Sequence, residues 1–315
     1  NKTNAMPSEM LFDILEQAKK LNVINITISG GEPLSHPDFL NFLKKCNLYN
    51  MSVNILSNLT LLTPEIIDEM KQNPLLSVQT SIYSMDETIH DAITNCPGSL
   101  TKTKTAVLLL LKNNIPVQIS CPIMKQNKHC FRDVIQWGKQ HSIQVNSDYV
   151  IIARYDHTTD NINCRLCEDD IKEIIEQDYS TGLLSLEETR NEYEKKKNMQ
   201  AEDYLCSVCS TSLCVSETGN VYPCAGWQDY VLANINDYTL YEIWNKSKKI
   251  KYLRNLRRCD IPICLECDSK EFCSVCLVRN ANENPLGNPL IPNKFFCNVA
   301  KINKQIFETN SPFTS

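Results

Sequence analysis

Ten cysteines fall between residues 206 and 297, at the spacing of metal ligands. They read Cys206-x2-Cys209-x4-Cys214-x9-Cys224, then Cys259, then Cys264-x2-Cys267-x5-Cys273-x2-Cys276-x20-Cys297. A gap of two residues lets both sulfurs of one turn point at a single ion or cluster edge. Thiolates are soft ligands, and four of them suit zinc or an iron–sulfur cluster. Two CxxC pairs five residues apart carry a metal signal that scattered buried thiols do not. Spacing alone leaves zinc open.

A second feature lies near the start. The β-rich run 23–29 (VINITIS) leads into Gly30-Gly31-Glu32-Pro33. Two glycines leave backbone N–H and C=O groups open at the carboxyl end of a strand, where ligands bind in α/β folds. Glu32 adds a carboxylate able to receive an ammonium group. By itself the string is also what closes a strand with a turn.

The elements that must position these residues show two periods. Runs 23–29, 52–56, 77–83, 116–121 and 144–152 are short and β-rich. Between them apolar residues recur at helical spacing, as in Met10, Leu11, Ile14, Leu15 and Ala18, with Ser8 placed as an N-cap. Thr63-Pro64-Glu65 opens another helix with a cap and then Pro. Alternating strands and helices imply parallel βαβ units, and the pattern alone fits an open doubly wound sheet. A chain of this kind should begin with a strand, so one is expected upstream. Residues 161–205 form a bridge, with a helix expected from 168 to 177 and a charged, solvated stretch from 190 to 200. The tail is expected to be loop-rich, with 238–258 its one convincing helix, so bound metal would supply its stability.

Composition bounds the rest. The 315 residues are 42% apolar and 22% charged, which describes a globular chain of about two domains. The net charge of −5 argues against nucleic acid or an anionic membrane as main partner. The longest aliphatic run, 106–111, is far short of a bilayer span, no signal segment opens the chain, and a cytoplasmic location is expected. Six further cysteines are scattered before residue 206. Cys164 and Cys167 sit ahead of a helix with Cys167 at its N-cap, and Cys46, Cys96, Cys121 and Cys130 are expected to pack. Cys259 has no assigned role. Trp227, Tyr230 and Trp244 are expected to build a small core.

The tail, with Gly219-Asn-Val-Tyr-Pro-Cys224, the CLECDSKEFCSVC run and Cys297, resembles the SPASM domain of radical S-adenosylmethionine enzymes. The GGEP turn, Ser57-Asn58, Ser81, His90-Asp91 and Asn127 follow in an order that resembles the same family's first domain. The resemblance implies a partial (β/α)6 TIM-like barrel over 1–160, the bridge 161–205, and a SPASM domain over 206–315. It implies that Gly30, Gly31, Glu32, Pro33, Ser57, Asn58 and Ser81 bind S-adenosyl-L-methionine. Two auxiliary [4Fe–4S] clusters are implied: one on Cys264, Cys267, Cys273 and Cys297, the other on Cys224 and Cys276 with one or two of Cys206, Cys209 and Cys214. A third, S-adenosylmethionine-binding cluster would sit on a CxxxCxxC segment, a spacing found nowhere in the 315 residues. It is expected upstream of Asn1, so activity is expected of the parent protein.

The activity so implied is reductive cleavage of S-adenosylmethionine, followed by hydrogen abstraction from an unactivated C–H bond. The implied substrate is a ribosomally made precursor peptide, the product a thioether or carbon–carbon crosslink, and the electron donor a flavodoxin or ferredoxin. In the sulfatase-maturing branch an Asp follows the Cys matching Cys224; here Ala225 follows. A zinc-stabilised α/β binding protein is the alternative of another class.

Overall fold

The computed structural model describes residues 5–311. Two units divide the chain. One holds the residues up to Val150, with Glu217–Gly219 and Thr239–Tyr241; the other holds Ile151–Ser216, Asn220–Tyr238 and the residues from Glu242 on. The bridge 161–205 thus belongs to the second unit.

The first unit alternates α1 (Ser8–Lys20), β1 (Asn25–Ile28), α2 (Phe39–Leu48), β2 (Ser52–Leu56), α3 (Pro64–Lys71), β3 (Leu76–Ser81), α4 (Glu87–Thr94), α5 (Ser99–Lys112), β4 (Val117–Pro122), α6 (Phe131–Gln140) and β5 (Gln144–Asp148). All four strand pairings are parallel, in the order β1-β2-β3-β4-β5. Each strand lies beside the next in sequence, with no reversal. That is the order of a barrel wall and not of a doubly wound sheet, whose strand order reverses at a switch point.

One sheet face is apolar. Val53, Ile55, Val78, Ile119 and Cys121 are fully buried there. Leu15, Phe42, Leu43, Met70, Val107, Leu110 and Val134, buried on the surrounding helices, complete this core. Each such side chain contributes about 1.5–3 kcal/mol relative to exposure. The other face carries Thr27, Asn54, Ser77, Gln79, Ser81, Gln118, Ser120, Asn146 and Asp148, all exposed or half-exposed. Parallel sheets are normally apolar on both faces. This one keeps a polar face that the unit's own helices leave open.

Local signals account for most boundaries. Thr63 caps α3, its hydroxyl accepting from the Ile66 N–H. Pro7, not Ser8, occupies the N-cap of α1; the Ser8 hydroxyl instead donates to Asp38. The helix begins one residue earlier than that cap implies, so Ser8 stands at its first position.

The second unit begins with α7 (Glu168–Ser180) and α8 (Leu186–Lys197). A small antiparallel sheet follows: β6 (Cys214–Val215), β7 (Asn220–Tyr222) and β8 (Ala233–Asn234). Then come α9 (Leu240–Lys246), α10 (Lys248–Asn255), α11 (Pro262–Leu265), α12 (Leu277–Glu283) and α13 (Lys294–Asn310). One expectation holds here and one is corrected. The stretch 190–200 is charged and mostly exposed as expected, and largely helical, started by a Ser185 cap. The tail holds several helices, of which α13 runs for 17 residues. Trp227 is fully buried and packs on Tyr230 at 4.9 Å between ring centroids. Among the described residues no helix is long and apolar enough to cross a membrane.

Candidate functional site

The turn after β1 folds around Glu32. Gly30 adopts φ +136°, a conformation that favours glycine. Pro33, which has no N–H to satisfy, opens a short 3-10 turn. The Glu32 carboxylate caps it: Oε1 accepts from the Leu34 N–H at 3.0 Å and from the Ser57 hydroxyl at 2.7 Å. Oε2 accepts from the Asn58 N–H at 2.9 Å. The loops after β1 and β2 are therefore tied through one carboxylate. An ionised carboxylate offers about four lone-pair sites. Three are used, and the free one is on Oε2. Gly30, Gly31, Glu32, Pro33, Ser57 and Asn58 are brought together in this way. Ser81 stands at the end of β3, two residues past Gln79, whose carbonyl accepts the Ser57 N–H at 3.0 Å.

Three other residues named from sequence hold the scaffold. His90 is buried and its Nδ1 accepts from the Tyr83 N–H at 3.2 Å; burial holds its pKa below the ordinary histidine value. Asp91 closes the start of α5, accepting from Gly98 N–H, Ser99 hydroxyl and Leu100 N–H. Asn127, fully buried, accepts from the Met124 N–H at 2.7 Å and donates to the Tyr83 and Pro122 carbonyls at 2.8 and 3.0 Å. Replacing it (Asn127→Ala) orphans three buried backbone groups, and a loss of about 2–4 kcal/mol is expected. Thermal denaturation should show a melting temperature lower by roughly 10 °C; an unchanged melt would remove Asn127 from the scaffold.

In the second unit the nine candidate ligands fall into two sets. Cys264 starts within α11, Cys273 follows a 3-10 turn at Lys270–Phe272, and Cys297 lies in the first turn of α13. Burial first, and then the neighbouring thiols Cys273, Cys297 and Cys267, push the Cys264 thiol up to about 11. Cys273 and Cys297 are raised by burial and then by facing Cys267; Cys273 faces Cys297 as well. Cys264, Cys273 and Cys297 line one cavity, which Cys276 also borders.

The other set gathers around Cys224, just after β7. Burial raises Cys206, which faces Cys276 and Cys224. Burial also lifts Cys209 to about 11, against the pull of Arg254, and it faces Cys206 and Cys224. Cys214, on β6, is raised by burial and faces Cys224. Cys276 is the N-cap of α12. Cys209 needs a positive φ of 57°, and it is completely buried.

All sixteen cysteines are free thiols. Among the described residues no three His, Cys, Asp or Glu side chains converge tightly enough for a single ion. Thiolates are soft donors that suit an iron–sulfur cluster as well as zinc. Cys46 and Cys121 are core residues whose thiols burial pushes to about 12. Cys96 is exposed, contrary to the packing expected of it, as is Cys259. Cys164 lies in a 3-10 turn, and Cys167 is the N-cap of α7.

Comparison with known proteins agrees with this layout. Residues 1–138 match the Radical SAM superfamily and residues 206–268 match SPASM, an iron–sulfur cluster-binding domain. The chain is 22% identical over 275 residues to the AdoMet-dependent heme synthase of Methanosarcina barkeri, covering 81% of this chain and 77% of that protein. It is 22% identical over 268 residues to the PqqA peptide cyclase of Gluconobacter oxydans, covering 82% and 73%. Native anSMEcpe with bound AdoMet and Cp18Cys peptide shares the fold at a TM-score of 0.71 and 17% identity, over 96% of this chain and 88% of that one. Streptococcus suis SuiB bound to precursor peptide SuiA does so at 0.70 and 18%, over 94% and 70%. A parallel sheet in barrel order is followed by a cysteine-rich tail, and the chain carries a Radical SAM domain in the first and a SPASM domain in the second.

Proposed function

We propose that this protein is a peptide-modifying radical S-adenosylmethionine enzyme. It would abstract a hydrogen from a ribosomally made precursor peptide and install a thioether or carbon–carbon crosslink. When bound, the iron–sulfur clusters and S-adenosylmethionine supply the one-electron chemistry that makes an unactivated C–H bond reactive. The chain's own residues bind and position. Glu32 offers its remaining lone pair to the cofactor's ammonium group, held by Leu34, Ser57 and Asn58. Cys264, Cys267, Cys273 and Cys297 would hold one auxiliary cluster. Cys224 and Cys276 would hold the other, with one or two of Cys206, Cys209 and Cys214.

The observation that carries the substrate class is the open polar sheet face. It presents hydroxyls, carboxamides, Leu56 and the Asp148 carboxylate, and no Lys, Arg or His stands among Thr27, Asn54, Leu56, Ser77, Gln79, Ser81, Gln118, Ser120, Gln144, Asn146 and Asp148. Such groups match the N–H and C=O of a peptide backbone. A porphyrin with ionised propionates would call for cations there. The peptide cyclase among the relatives supports the same reading. Donation of electrons by a flavodoxin or ferredoxin belongs to the proposal.

The test is co-expression of the full-length enzyme with candidate precursor peptides, followed by mass spectrometry. A peptide lighter by two hydrogen atoms per crosslink supports the proposal. Anaerobically purified protein holding zinc without iron would overturn it.

A further inference from the structure

Two side-chain N–H groups of the second unit are buried and unanswered. Among the described residues there, Arg254 Nη2 and Trp227 Nε1 are the donors shut off from solvent with no hydrogen-bond partner. Folded proteins rarely leave such a group unmet, and a bare one calls for an acceptor that the chain itself does not supply. Both belong to residues bound to the Cys209 and Cys224 backbone. Trp227, fully buried three residues past Cys224, donates its backbone N–H to the Cys224 carbonyl at 3.0 Å. Arg254, on α10, donates from Nε to the Cys209 carbonyl at 2.7 Å.

The Arg254 guanidinium is fixed at three points. Besides the Nε bond, Nη1 donates to the Trp244 carbonyl on α9 at 3.2 Å, and the group lies over the Trp244 ring at 4.1 Å. A guanidinium is a rigid planar fork. One N–H of Nη2 runs parallel to the Nε N–H, so it is aimed alongside the Cys209 carbonyl. Cys209 is equally fixed. It is completely buried at φ 57°, in a turn that the Ser210 N–H closes onto the Ser207 carbonyl at 3.0 Å. The side-chain partners of Arg254 are two carbonyls and a ring; among the described residues no carboxylate meets its charge. A charged donor is therefore held, shielded from water, toward a buried cysteine and toward no anion of the chain.

We propose that Arg254 is a positioning residue for the cluster on this thiol set, its free Nη2 N–H donating to a sulfur of the cluster edge at Cys209. The inference rests on the reading above that the set holds an iron–sulfur cluster. Such a cluster with thiolate ligands is anionic, and its sulfurs accept hydrogen bonds that help to set its potential. Groups behind the ligands also fix how the ligands stand. Arg254 does both from one rigid group: Nε holds the Cys209 backbone while Nη2 meets the sulfur beside it. A lysine has the charge without the fork, and cannot fill both roles in parallel. No covalent bond forms or breaks, and the guanidinium keeps its protons throughout.

The experiment uses the full-length holoenzyme, grown on arginine labelled with the heavy nitrogen isotope, reconstituted anaerobically and reduced with dithionite or a stronger europium reductant. Pulsed electron paramagnetic resonance then reads couplings between reduced clusters and the labelled nitrogen. Cys224→Ala identifies the signal of this set by removing it. A labelled-nitrogen coupling is expected on that signal. Arg254→Lys should abolish the coupling while iron content and melting curve stay near those of the unaltered enzyme. Arg279→Lys, which alters the arginine bordering the cavity shared by Cys276, should keep it and so assigns the coupling even where Arg254→Lys folds poorly. No signal lost in Cys224→Ala, no coupling on that signal, a coupling that survives in Arg254→Lys, or one abolished by Arg279→Lys would overturn the inference while leaving the proposed function standing. Absence of iron from the unaltered protein would overturn both.

Discussion

Cys264→Ala is expected to empty one cluster site and to destabilise the second unit. About four irons per chain should be lost, since a [4Fe–4S] cluster deprived of one of its four thiolates loses its hold. The stability cost should be on the order of 3–5 kcal/mol or more, because ligand-to-metal binding in a domain of this kind is part of its folding free energy. For a unit of this size that lowers the melting temperature by roughly 10 °C or more. The structural reason is specific. Cys264, Cys273 and Cys297 come from a four-residue helix, a 3-10 turn and the start of α13, which little besides a shared cluster would draw around one cavity. Cys259, exposed and outside both sets, is the control: Cys259→Ala should keep full iron and a native melt. Full iron content in Cys264→Ala would remove that residue from the ligand set.

Glu32→Ala should weaken S-adenosylmethionine binding by about 10- to 100-fold. A charge-assisted hydrogen bond contributes about 1.5–3 kcal/mol, and each 1.4 kcal/mol is a factor of ten in affinity. The same substitution also frees Leu34 N–H, the Ser57 hydroxyl and Asn58 N–H from their shared acceptor, so part of the loss would come from a loosened turn. Glu32→Gln separates the two effects. Its carbonyl oxygen still accepts from Leu34 and Ser57, which should bring the melting temperature most of the way back. Its amide group carries no charge to meet an ammonium and cannot accept from Asn58, so cofactor affinity should stay low. Calorimetric titration of the reconstituted full-length enzyme distinguishes these outcomes. Full affinity in Glu32→Ala would end the assignment of this carboxylate to the cofactor.

Much of the first unit was legible from local pattern. The five strands lie where alternating β-rich runs placed them, to within four residues at their ends, and Thr63-Pro64 opens α3 as its cap chemistry requires. Elsewhere local pattern fell short. Ser8 stands at the first position of α1 and not at its cap, its hydroxyl donating to Asp38. The stretch 190–200 is solvated as its charges imply, but local pattern did not show that Tyr193 and Lys196 join it to Phe272, Phe307 and Cys273. Helix α13 escaped notice because its buried residues, Phe296, Val299, Ala300, Ile306 and Phe307, leave a gap in the apolar stripe. Asn127 and Asp91, which the sequence offered only as part of the family resemblance, satisfy buried and loop backbone groups.

By itself the sequence determined the chemistry on offer: soft thiolates at metal spacing, a carboxylate behind two glycines, and an alternation of strand and helix. Those are properties of neighbouring residues, set by side-chain type and backbone period. Only the tertiary structure decided which thiols face one another, that the strands run in unbroken order, that Glu32 ties two loops with one lone pair to spare, and that Lys196 lies against Cys273. Each of those joins residues dozens of positions apart, and such contacts arise from packing and desolvation among elements, which no local period encodes.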